Sequence, residues 1–395
     1  MTKPLRVLMD ARMLIGRFSG VGRVVTNLVE EFRVRDDMHV AVLCGHEPHA
    51  PWLGAADIEV ITSSFDRAHR TPLHRGQWEE RELPTIIRDA GVDVYHASWN
   101  HGIPKECPVP SVLTVHDLIG WRSSARELGG WSQRIALRRS MSASIHRARL
   151  ITTVSDYVRD ELLSNFPVDP DKVVTVPNGV TPPSHAQAEG EQATLAPYAL
   201  YVGGHEPRKN VAGILRAFEN YCNQHDDQLS LRMTGSVSAL CANAFPVYER
   251  MRWQQRVEFL GQPTDPELSS LYRGAEFLFC LSYDEGFGLP VLEAMAHGCP
   301  VIASNRASLP EVVGDAGPLV DPDDTDSVVR AIKSLRQDDH LRFRLVDRGL
   351  SRARRFRWSA AAESLRSAYL SALQAPIARS RTQLKAGMRE IAANA

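Results

Sequence analysis

The sequence predicts two α/β domains, each a parallel sheet wound with helices on both faces, meeting across a cleft. Short apolar runs alternate with amphipathic helical stretches along almost the whole chain, and the alternation runs through twice. Between the two passes lies an aperiodic segment, residues 181–197, rich in Pro, Ala, Gln and Glu. It reads as a linker. At 395 residues the chain is also longer than one ordinary domain.

In the first pass "RVLMD", "HVAVLC", "VDVYHA", "SVLTVHD", "LITTVS" and "KVVTVPN" read as buried strands, and in the second "YALYVG", "SLRMTG", "VEFLG", "AEFLFCLS" and "PVIAS" do so. Continuous Val/Ile/Leu runs separated by helices are the mark of parallel sheets covered on both faces. The expected division is 1–185 for the first domain and 186–357 for the second, with a closing helix at about 358–375 and a basic tail at 376–395.

Composition removes several classes of function. A formal net charge of −1 argues against a dedicated nucleic-acid binder. No apolar run approaches the roughly 18 to 20 residues of a spanning helix. The start, "MTKPLRVLMDAR", has no signal-peptide core. The six cysteines are scattered, without C-x-x-C or metal-ligand spacing. A reduced, cytoplasmic location is expected.

In open α/β sheets the site lies beyond the carboxyl ends of the strands, so the strand-to-helix turns carry the functional reading. After "RVLMD", Gly20 and Gly22 stand before an amphipathic helix, where backbone amides could meet an anion or a sugar hydroxyl. A simple tight turn is the other reading. His116 and Asp117 end the strand "SVLTVHD"; the imidazole either enters the cleft or serves as a structural hydrogen-bonder.

The turn after "YALYVG" carries Gly203, Gly204 and then Pro207-Arg208-Lys209-Asn210 before a helix. Cations at a helix start oppose its dipole, so a bound diphosphate would explain Arg208 and Lys209. The turn after "AEFLFCLS" carries Glu285, Gly286 and Gly288, with Pro290 suited to the first helical position and Glu293 about one turn inside. An acid/base pair would have to flank a scissile bond from opposite sides. Two carboxylates projecting from one turn and its helix suit hydroxyl acceptance better. The Asp321-Pro322-Asp323 motif could hold a divalent metal, but a turn with an N-cap is the better reading and no metal is expected.

These segments resemble the family-four retaining glycosyltransferases of GT-B fold. The resemblance runs through "SGVGRV", "DVYHAS", "VLTVHDL", "TVSDYV", "VPNGV", "YVGGHEPRKN", "FLGQPTDPELSSLY", "SYDEGFGLPVLEAMAHGCPVIASNRASLPEVVGDAG" and "LVDP". The E-x7-E spacing from Glu285 to Glu293 is that family's signature, and with "PRKN" it is specific. The pattern is most similar to bacterial mannosyltransferases of polysaccharide and O-antigen synthesis.

The resemblance implies a donor site residue by residue. Arg208 and Lys209 would hold a nucleotide diphosphate, and Glu293 the ribose hydroxyls. Glu285, with the backbone amides of Gly286, Phe287, Gly288 and Leu289, would hold sugar hydroxyls and phosphates. His116 would face the sugar, and Gly20 and Gly22 would border the diphosphate. It further implies a closing helix that crosses back onto the first domain, no metal, and no cofactor beyond a donor substrate, GDP-mannose first and a UDP-sugar second.

Two departures stand out. Cys280 replaces a common proline, and Gly204 lies where some relatives carry an extra arginine. The implied reaction is transfer of a hexose with retained configuration to a glycan or lipid-linked acceptor in cell-surface polysaccharide synthesis. The rival readings are a nucleotide-sugar epimerase of the same fold and a catalytically silent nucleotide-sugar-binding subunit.

The acceptor should meet the first domain. Residues 122–149 hold seven arginines against one glutamate, with Trp131 among them. Such a segment suits peripheral contact with anionic lipid at the inner face of the membrane. A solvated arginine-rich face is the other reading.

Overall fold

A computed structural model describes residues 3–12, 20–45, 58–66, 71–124, 127–183, 196–225 and 228–374. Most of the expected linker and all of the basic tail lie outside the described residues. The first domain carries β1 (Leu5–Asp10), β2 (Met38–Cys44), β3 (Glu59–Thr62), β4 (Val94–Ala97), β5 (Ser111–Val115), β6 (Leu150–Thr153) and β7 (Val173–Thr175). The second carries β8 (Tyr198–Tyr201), β9 (Ser230–Met233), β10 (Val257–Phe259), β11 (Phe277–Cys280), β12 (Val301–Ser304) and β13 (Leu319–Val320).

Both sheets are parallel throughout, ordered β3-β2-β1-β4-β5-β6-β7 and β10-β9-β8-β11-β12-β13. The strand order reverses between β1 and β4 in one sheet and between β8 and β11 in the other. Those two switch points are where open sheets of this kind leave a crevice. β3 and β13 are absent from the sequence reading. Both are edge strands, β3 without a fully buried residue and β13 only two residues long, so neither carries a clear apolar run.

The two domains are tied by the chain itself. Gly179 runs so close to the return segment that a Cβ there would stand 2.3 Å from the Trp358 backbone nitrogen. Val180 N donates to Phe356 O at 3.0 Å beside it. The helix Trp358–Gln374 then lies on the first domain, where Trp358, Leu365 and Tyr369 join the cluster of Val7, Met9, Val25 and Phe32. Burying Leu365 is worth roughly 1.5–3 kcal/mol.

Tyr369 OH meets His96 Nδ1 at 2.9 Å, and His96 Nε2 meets Thr114 Oγ1 at 2.7 Å. Burial, with His116 adding to it, lowers the His96 pKa to about 3, so this buried chain runs through a neutral imidazole. At the rim, Arg35 pairs with Glu363 at 2.8 Å and Arg366 with Asp37 at 2.7 Å. Another apolar cluster holds residues of both domains, Val158 and Leu162 from the first and Phe287 and Leu309 from the second. The cleft is therefore closed along part of its length.

Candidate active site

The loop after β11 has two glycines for two different reasons. Gly288 adopts φ +101°, a left-handed conformation that L side chains rarely take, immediately before the helix Leu289–Ala296. Gly286 is required by approach: a Cβ there would stand 1.8 Å from the His116 carbonyl oxygen of the first domain. Ser155 Oγ, also of the first domain, donates to Gly286 O at 2.7 Å. Close by, the amides of Asp156 and Tyr157 donate to the Glu311 carboxylate at 3.1 and 3.2 Å. A helix N-terminus of one domain is thus satisfied by a carboxylate of the other.

Glu285 lies at the bottom of this junction, only 8% exposed. Its carboxylate accepts from Lys209 Nζ at 2.5 Å, Ser282 Oγ at 2.7 Å and Arg208 Nη1 at 3.4 Å. Burial opposes its ionisation, but Lys209 and Arg208 outweigh that and hold it below the usual glutamate range.

The two cations come from a single 3-10 turn, Pro207–Lys209, which Asn210 closes in the left-handed region at φ 51°. Asn210 Oδ1 then caps the helix Val211–Gln224 through Gly213 N at 3.1 Å, and its Nδ2 donates to Pro322 O at 3.0 Å. Arg208 O accepts from Tyr283 N at 2.7 Å, which pins the turn to the Glu285 loop. At Gly204 a Cβ would meet the Glu206 carboxylate at 2.5 Å, and Tyr201 OH donates to the Gly204 carbonyl.

Glu293 occupies a separate environment. It accepts from Tyr272 OH at 2.9 Å and from Arg23 Nη1 at 3.4 Å. Burial raises its pKa, with Arg23 pulling the other way. Lys209, Arg208 and Ser282 surround one glutamate and Arg23 and Tyr272 the other. The structure therefore sets them in different electrostatic surroundings, which is unlike a matched acid/base pair.

From the first domain, Gly20 is exposed at the start of the helix Gly20–Arg33, where a Cβ would stand 3.7 Å from Leu289 Cδ1. Two helix N-termini meet there. Gly22 is buried on the inner side of its helix, and most of the turn before Gly20 lies outside the described residues. His116 Nε2 lies 2.9 Å from Ser98 O, an acceptor only, so that nitrogen carries the proton. Burial lowers the His116 pKa to about 4, against the pull of Ser98. At neutral pH it is an uncharged imidazole that donates a hydrogen bond to the Ser98 carbonyl. Phe287 is buried in the apolar cluster between the domains.

Four residues of the site are given no role in it by the sequence. Asp117 accepts from Ile119 N at 3.0 Å and lies near Arg208, Glu285 and Arg122; burial raises its pKa. Arg122 bridges to Asp284 across the cleft and to Glu161 of its own domain. Arg23 and Tyr272 hold Glu293. Arg23 carries a usable signal, a cation in the first helical turn beside glycines, the same signal that marks Arg208 and Lys209. Tyr272 sits at an ordinary amphipathic position and carries none.

The Asp321-Pro322-Asp323 segment is a turn. Arg306 Nη2 donates to Asp321 at 2.9 Å and Asp323 at 3.0 Å, and Asp324 caps the next helix through Ser327 N. Among the described residues no group of three or more His, Cys, Asp or Glu side chains is placed to hold a metal ion.

Comparison with known proteins bears on the family and the fold. Residues 18–182 match the family model described as Glycosyltransferase Family 4, and residues 186–352 the one described as Glycosyl transferases group 1. The chain is 36% identical over 286 residues to O-antigen chain mannosyltransferase B of Escherichia coli, covering 70% of this chain and 74% of that protein. The chain belongs to the family-four glycosyltransferases, with the GT-B fold.

It is also 27% identical over 331 residues to D-inositol 3-phosphate glycosyltransferase of Corynebacterium diphtheriae, covering 80% of this chain and 74% of that protein. Sucrose-phosphate synthase from Thermosynechococcus elongatus shares the fold, with a TM-score of 0.75 at 19% identity over 94% of this chain and 100% of that one.

Because Gly286 is limited by a backbone oxygen that cannot rotate away, Gly286→Ala should prevent the two domains from seating. Transfer activity is expected to fall by about a hundredfold or more, the cost of misplacing reacting groups by an ångström. The melting temperature should fall as well, since the apolar cluster shared by the two domains, Phe287 included, loses its seating. Gly76→Ala, at a position with nothing within 4 Å, serves as the control and should keep full activity. Steady-state kinetics and thermal melts of both variants check this.

Proposed function

We propose that this glycosyltransferase moves a hexose, with mannose favoured, from a nucleotide diphosphate sugar to a glycan or lipid-linked acceptor of bacterial surface polysaccharide, with retained configuration. The observation that carries the reading is the Glu285–Lys209–Arg208 cluster. Two cations meet one carboxylate beside a helix N-terminus, leaving one net positive charge and the terminal amides for a diphosphate. Glu285 then lies where the sugar would join the phosphate, and Glu293, about one turn inside the helix, accepts ribose hydroxyls.

Catalysis in this reading is positioning and leaving-group stabilisation. As the bond from the anomeric carbon to phosphate oxygen breaks, the acceptor oxygen bonds that carbon from the same face. The acceptor proton passes to the departing phosphate, whose charge Lys209, Arg208 and the Leu289–Ala296 N-terminus stabilise. Likeness to the Escherichia coli mannosyltransferase favours mannose; GDP-mannose is the first donor to try, with UDP-sugars second.

Incubation with GDP-mannose and UDP-sugars, with and without oligosaccharide acceptors, tests this. Nucleoside diphosphate release that requires acceptor, with an α-linked product from an α-linked donor, is expected. Isomerised donor sugar would support an epimerase, and binding without release a silent subunit; either outcome contradicts the transferase reading.

A peripheral membrane contact through residues 122–149 has a more specific basis than arginine content. Trp131 is 69% exposed and Ile135, one turn on, 47%. Arg134 stacks over Trp131 and donates to Ser123 O, and Arg138 stacks over Trp121 and donates to its carbonyl. Two of the arginines thus serve the fold, and the exposed apolar pair is the better anchor, with exposed Arg139 next to it. No helix among the described residues is long and apolar enough to cross a membrane. Binding to vesicles containing anionic lipid should drop several-fold in Trp131→Ser/Ile135→Ser. Undiminished binding of that variant would remove this reading.

A further inference from the structure

Arg23 sits in the first turn of the helix Gly20–Arg33, where a cation works against the helix dipole and no acidic residue accompanies it. Its guanidinium leaves its own domain. Nη1 donates to Glu293 Oε1 at 3.4 Å, and Nη2 pairs with Asp265 at the start of the helix Asp265–Gly274. All three side chains line one cavity of about 490 Å³, bounded also by Gly179 and Trp358, where the chain passes between the domains. With Tyr272 OH on Oε2, both oxygens of Glu293 receive a donor from the protein itself.

We propose that Arg23 is a latch across the cleft that the donor's nucleoside displaces, because ribose hydroxyls and the Arg23 guanidinium compete for Glu293 Oε1. The inference rests on the assignment of Glu293 to the ribose. A contact of 3.4 Å is long, and the Arg23 side chain is 35% exposed, so the latch is a modest restraint that a ligand can release. The closer pairing with Asp265 keeps the guanidinium at hand, and it returns when the nucleoside leaves. Among the charged groups around the buried Glu293, Arg23 is the one that favours its ionised form. One carboxylate therefore serves both domain closure and donor occupancy, and donor entry loosens one of the ties that holds the cleft shut.

Calorimetric titration of the full chain with GDP and with UDP tests the latch. Arg23→Gln removes the charge and should bind the preferred nucleotide about two- to fivefold more tightly than the natural protein, the range set by a partly exposed ion pair. Asp265→Asn should shift affinity the same way, and the double variant should gain nothing over Arg23→Gln alone. Unchanged or weaker binding by Arg23→Gln overturns the proposal, whereas general damage to the site could not tighten binding. Glu293→Gln in the Arg23→Gln background separates the two layers. If it leaves affinity unchanged, the ribose assignment falls and the latch with it. If it weakens binding while Arg23→Gln fails to tighten it, the latch alone falls.

Discussion

A carboxylate buried between two domains has to be neutralised, and the pairing of Glu285 with Lys209 and Arg208 is the constraint from which the rest of the site follows. An unpaired charge at that depth would shift its pKa until it became neutral. The turn that supplies the cations must therefore lie against the loop that supplies the carboxylate. Adjacency of β8 and β11 at the switch point brings this about. Asn210 in its left-handed conformation and the Tyr283–Arg208 backbone bond hold the two loops in register. Removing either cation alone would leave the other committed to the carboxylate, with no net positive charge to spare, so the three residues act as one unit.

The second constraint is the closeness of the domains. Gly286 lies against the His116 carbonyl, Ser155 reaches the Gly286 carbonyl, and Glu311 satisfies the first amides of the helix Asp156–Asn165. Each contact joins groups remote in sequence, and the apolar cluster shared by both domains lies beside them. The two passages of the chain between the domains, at Gly179 and Trp358, lie against each other.

Much of this was legible in the residues. Fully buried parallel strands announce themselves as continuous apolar runs, and the turns after β8 and β11 declare themselves through glycines, cations against a helix dipole and paired carboxylates. The edge strands β3 and β13 lack that signal because half or more of each faces solvent. The pairing of Glu293 was hidden: Arg23 is conspicuous as a cation in a first helical turn, but its partner lies 270 positions away in sequence, and Tyr272 comes from an unremarkable helical site. The division of labour between Gly286 and Gly288 could not be read either: one answers to a backbone torsion and the other to a carbonyl of the other domain. In the segment 122–149 arginine counting pointed at charge, whereas the fold uses Arg134 and Arg138 to brace tryptophans and exposes Trp131 and Ile135.

The central claim is that Lys209 and Arg208 divide their charge between Glu285 and a diphosphate. Affinity for the bare nucleoside diphosphate, measured calorimetrically on Glu285→Gln beside turnover with the full donor, tests it most directly. Freed from the carboxylate, the cations should hold the diphosphate as tightly as in the natural protein or more so. Turnover should collapse, because the sugar loses its hydroxyl acceptor. A variant whose diphosphate affinity fell in step with its turnover would contradict the account, placing Glu285 in support of the cations and not in competition for them.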